Sequence, residues 1–144
     1  MDFKEKDKKV RSVLVKRLFL LKEGLDEVLR GLDDECRLNE SKKVLSLIKV
    51  VDETCDAIRF TNYGYTDVVL SDEERIEEKQ REMFSVLEEV EKKLKVSPKD
   101  SDFLLHIKNA EEGVNYLKSI HQEIESMVTA LIPKRKKRFL EEVE

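Results

Sequence analysis

The chain has 144 residues, 40% of them hydrophobic and 42% charged, with a formal net charge of −4. That length suits one domain burying about 68–70% of its unfolded surface, and the charge excess fits long helices that each keep one face in water. No apolar run approaches the ~20 residues of a membrane span, and the start of the chain lacks the hydrophobic stretch of a secretory signal, so a cytoplasmic protein with no membrane contact is expected.

Leu14, Leu18, Leu21, Leu25, Val28 and Leu32 alternate steps of four and three. This predicts a first helix from about Lys6 to about Cys36 with one continuous seam. Val10, Val13, Leu20, Gly24 and Gly31 flank the seam on one side. The two glycines cost about 1 kcal/mol each against Ala, so their shared flank is expected to admit a closely packed helix. Val15 and Phe19 are placed on the opposite side and form the candidate partner contact.

Residues 32–43 hold no proline and no glycine. The first connection is therefore placed at residues 37–41, with Asn39 or Ser41 capping the second helix. That helix repeats the four-three rhythm through Val44, Ile48, Val51, Cys55 and Ile58. Cys55 falls on the buried stripe and reads as a small core residue.

Thr61 to Leu70 breaks the pattern, with turn chemistry at Asn62 and Gly64. Ser71-Asp72-Glu73-Glu74 then forms a capping box with acids in the positive first turn of a third helix. Its stripe of Met83, Phe84, Leu87, Val90 and Leu94 begins late, so its first turns are expected to be solvated or covered by a partner. The helix is expected to end near Lys95.

Ser97-Pro98-Lys99-Asp100 reads as the next helix start, proline being favoured at the first helical position. Phe103, Ile107, Ala110, Val114, Leu117, Ile120, Ile124, Met127 and Leu131 make the cleanest seam of the four, and Pro133 ends it. The sequence therefore predicts an all-α fold, an antiparallel up-down-up-down four-helix bundle of long helices. Residues 1–133 form its single domain, and residues 134–144 a short basic C-terminal tail, partly disordered or loosely helical.

Alternating helices would gather both chain ends and the Thr61–Leu70 loop at one pole. Residues 1–22 contain eight Lys/Arg and three acids, and residues 134–138 are all basic. Lys8, Lys9, Arg11, Tyr63, Tyr65, Lys134, Arg135, Lys136, Lys137 and Arg138 are thus the candidate anion-binding pole. Cations would meet phosphate there and tyrosines would stack on unpaired bases. The acids that open the third helix lie at the same pole and would neutralise part of that charge. Pro133 to Arg138 also resembles a short nuclear import signal, a K/R-rich pattern with many chance matches.

Catalytic signatures are missing from the sequence. No Glu precedes His106 or His121 by three positions, as carboxylate-bridged metal sites of bundles require. His121 and Glu125 are four apart and fit a local hydrogen bond. Cys36 and Cys55 have no neighbouring His and form neither a disulfide framework nor a zinc pattern. Four glycines spread through the chain make no phosphate loop. The expectation is a non-catalytic protein–protein interaction module, an adaptor, chaperone-like protein or assembly subunit, that self-associates and carries neither cofactor nor metal. Nucleic-acid or polyanion binding at the basic pole is the alternative.

Overall fold

The computed structural model describes residues 3–60 and 70–129. They form four helices: α1 (Phe3–Asp34), α2 (Leu38–Phe60), α3 (Leu70–Lys93) and α4 (Phe103–Thr129). These pack as a four-helix bundle with α1 on α2, α2 on α4 and α4 on α3, while α1 and α3 meet over a much smaller contact. The expected turn at Asn62 and Gly64, the stop at Pro133 and the tail from 134 to 144 lie outside the described residues.

The predicted seams supply the core. Leu14, Leu18, Leu25 and Leu32 of α1 pack against Val44, Ile48, Val51, Cys55 and Ile58 of α2, with Met83, Leu87 and Val90 of α3 and the stripe from Phe103 to Ile124 of α4. Leu21 and Val28 are half-buried, because α1 turns that side toward the thin α3 contact. Contacts along each pair fix its direction. Between α1 and α2, Lys22 pairs with Asp52 and Asp33 with Ser41, so one number rises as the other falls. Between α2 and α4 both numbers rise together, from Ser46–Glu111 to Glu53–Lys118.

The first connection is shorter than the spacing predicted. Helix α1 stops at Asp34 and α2 begins at Leu38, leaving residues 35–37. Arg37 N–H donates to Leu32 O at 2.9 Å and Cys36 N–H to Asp33 O at 3.0 Å, the paired bonds of a Schellman motif. Cys36 sits at the left-handed position of that motif with φ 56°. Arg37 then opens α2, its carbonyl accepting from Ser41 N–H. Neither Asn39 nor Ser41 is the cap; Ser41 is buried and its hydroxyl donates to Asp33 at 2.7 Å.

Helix α4 also begins later than predicted. Ser97 Oγ accepts from Lys99 N–H, and Asp100 Oδ1 accepts from Asp102 N–H. Each side chain closes a local turn in competition with the helix, so the backbone makes two successive turns before Phe103. Helix α3 begins at Leu70, which places Ser71 inside its first turn rather than at its cap. The early turns of α3 are not an overhang: Ile76 and Gln80 are both buried against the bundle.

Candidate interaction surfaces

A polar cluster closes the end of the bundle where α1 and α3 begin. Asp7 is 1% exposed and accepts from Gln80 Nε2 at 2.6 Å and from Arg11 Nε at 2.9 Å. Arg11 also reaches Ile58 O at 3.4 Å. From the opposite side His121, 1% exposed, brings Nε2 to 3.1 Å from Ala57 O and 3.2 Å from Glu125. Ala57 and Ile58 are among the last four residues of α2, whose carbonyls lack helical partners. Arg11 and His121 therefore cap α2 from two neighbouring helices. Burial pushes the His121 pKa down, with Glu125 opposing that shift, so the ring is neutral near pH 7.

The sequence held a signal for this cluster. Asp7 falls in register between Phe3 and Val10, and Gln80 between Ile76 and Met83, each on an otherwise apolar seam. Reading only apolar positions passes over both. His121 was expected to make a local hydrogen bond with Glu125; the two lie 3.2 Å apart, and the ring is in the interior. Among the described residues no group of three or more His, Cys, Asp or Glu converges as a metal site.

The anion-binding pole is brought together only in part. Lys8 and Arg11 line an open cleft of about 570 Å³ with Ser12, Val15, Ile58, Arg59 and Phe60. Arg59 lies over the Phe60 ring at 5.1 Å, and Phe60 is 71% exposed. Lys9 belongs elsewhere, to a groove of about 360 Å³ between α1 and α3 that it shares with Lys6, Val10, Arg81 and Phe84. Tyr63, Tyr65 and Lys134 to Arg138 lie outside the described residues.

The candidate partner contact divides. Phe19 is 53% exposed. Val15, expected beside it on the outside, is half-buried against the core, and its carbonyl accepts a weak bond from Cys55 Sγ at 3.8 Å. The cause is packing: α2 covers the flank of α1 that includes residue 15, which the single-seam reading left open. Burial raises the Cys55 thiol pKa, consistent with the core role read from its spacing.

The exposed apolar surface of α1 lies on a different face. Val13 is 48% and Leu20 56% exposed. Gly24 and Gly31 are exposed as well, and a Cβ built on either has no atom of another helix within 4 Å. At 100° per residue these four fall on one stripe. The helix expected to approach those glycines is absent among the described residues. Close packing occurs instead at Gly113, where a Cβ would stand 2.6 Å from Val90 Cγ2. No described helix is long and apolar enough to cross a membrane. Comparisons with protein-family models, curated proteins and solved structures return no match.

Proposed function

We propose that this protein is a non-catalytic helical interaction module that self-associates through the outer face of α1. One observation carries the reading: Gly24 in the body of α1 and Gly31 in its last turn stand exposed, with no atom of another helix near the Cβ position of either, on the same stripe as exposed Val13 and Leu20. Each glycine costs its helix about 1 kcal/mol relative to Ala. Close approach by another backbone gives that cost a use, and exposed apolar neighbours supply the contact area.

Size-exclusion chromatography with light scattering tests it. Wild-type protein is expected to elute with a concentration-dependent mass above one chain, and Leu20→Glu as a single chain with unchanged circular dichroism. Phe19→Asp, altered on the flank toward α2, is expected to affect the mass less. An unchanged mass for Leu20→Glu contradicts the reading.

A second reading is favoured by the cleft between α1 and α2. Lys8, Arg11 and Arg59 surround an apolar floor beside the exposed Phe60 ring, an arrangement suited to a polyanion with stacking bases. Arg11 is already held by Asp7, which leaves Lys8 and Arg59 to supply most of the unneutralised charge. Retention on heparin should then survive ~0.3 M salt and fall in Lys8→Glu/Arg59→Glu; elution at low salt contradicts it.

A further inference from the structure

Self-association through α1 has a geometry that the helix itself specifies. We infer that the occupant of the outer face is a second copy of this chain, with its α1 running antiparallel about a two-fold axis that crosses the outer stripe midway between Leu20 and Gly24, level with residue 22. The inference rests on the self-association reading, and three features of α1 support the geometry.

The first is the register of the stripe. Val13, Arg17, Leu20, Gly24, Glu27 and Gly31 alternate steps of four and three, which makes a second heptad seam on the solvent side of the helix. Its two large apolar members lie in the N-terminal half and its two glycines in the C-terminal half. Antiparallel pairing about residue 22 sets Leu20 against Gly24 of the second copy and Val13 against Gly31. Both large apolar residues then meet a vacancy, the backbones approach closely at both, and Arg17 falls opposite Glu27 of the second copy. A parallel pairing sets Val13 on Val13 and Gly31 on Gly31, leaving the C-terminal half without side chains to fill the contact.

The second feature is charge. From Phe3 to Lys22, α1 carries eight Lys/Arg and two acids; from Glu23 to Asp34 it carries five acids and Arg30 alone. Parallel copies would place like halves together, whereas antiparallel copies place basic on acidic. Exposed flanking residues match within this frame: Lys16 comes beside Glu27 of the second copy, and Lys9 beside Asp34. Arg17 is already paired with Glu91 and lies over Phe84, so it forms an edge of the contact.

The third feature is the fold's own geometry. Because α1 meets α3 so thinly, its outer stripe borders the groove lined by Val10 and Phe84 rather than lying beneath a neighbouring helix. A helix laid along residues 13–31 covers about 28 Å. This is one helix-on-helix contact, smaller than a standard interface, of the size found in weak or transient associations.

Cross-linking decides the geometry. In a Cys36→Ser/Cys55→Ala background, full-length Val13→Cys and Gly31→Cys proteins are mixed with a short bis-maleimide. The expected product is the mixed 13–31 dimer, well above either homodimer. Predominant 13–13 and 31–31 products overturn the antiparallel arrangement, and so does random yield from a chain that sediments as a dimer. In both cases self-association itself stands. A wild-type chain that sediments as a monomer removes the self-association reading as well. Charge swapping supplies an independent check. Lys16→Glu should raise the dissociation constant about three- to tenfold at low salt, and mixing it with Glu27→Lys should restore it. Failure of the mixture to recover contradicts the pairing.

Discussion

Cys36 holds a left-handed backbone at φ 56°, a conformation that costs a non-glycine residue roughly 1–2 kcal/mol. Its side chain is exposed and unbonded to sulfur, so little is lost by removing it. Cys36→Gly is expected to stabilise the protein by about 1 kcal/mol, read as a higher urea midpoint at unchanged m-value. Gly113 behaves oppositely. Ala there gains helix propensity but drives a Cβ into Val90 Cγ2, a branched side chain with little rotamer freedom. Gly113→Ala should destabilise by about 1–3 kcal/mol. His121 links stability to pH. Its folded pKa is depressed by burial, so below about pH 6.5 the unfolded chain binds the proton more readily. The His121 contribution is complete above that pH and is lost as pH falls toward the folded pKa. Urea midpoints should drop between pH 7 and pH 5, and His121→Gln should flatten that slope.

At the scale of the element, the helices and their buried faces were legible because a four-three apolar rhythm sustained over several turns has one reading. Their boundaries were less so. The connection after α1 lacks glycine and proline because cysteine occupies the left-handed position, and nothing in its side chain announces that backbone. Ser97-Pro98 carries the chemistry of a helix start, yet Ser97 and Asp100 use their oxygens to close turns, which delays α4 to Phe103. On α1 the two glycines share one flank, but the helix expected to pack closely against them is absent among the described residues, and the sequence does not say whether a neighbour comes from the same chain. Gly24→Ala should therefore raise the stability of the isolated chain by about 1 kcal/mol. Gly24→Leu should abolish self-association while leaving helicity intact, as size-exclusion with circular dichroism would report.

For the whole molecule, α2 and α4 close one side of the bundle and the thin α1–α3 contact leaves the other side open. The capping of α2 by Arg11 and His121 and the Asp7–Gln80 bond tie the helix ends together at one pole. Arg37 does the same at the other, donating to Pro98 O at 2.7 Å. The site was only partly readable from sequence, since apolar residues on a helix do not reveal which of two flanks a neighbour covers: Val15 was placed outside and is half-buried, and Leu20 was placed beside the core and is 56% exposed. An α1 face that is open, carries exposed Val13 and Leu20 and is self-complementary in charge is the basis on which self-association is proposed. Sedimentation equilibrium across a wide concentration range tests that claim most directly. The predicted result is a mass rising from 16.9 kDa toward twice that value, with Leu20→Glu held at one chain throughout. A wild-type mass fixed at 16.9 kDa up to the highest concentration would contradict it.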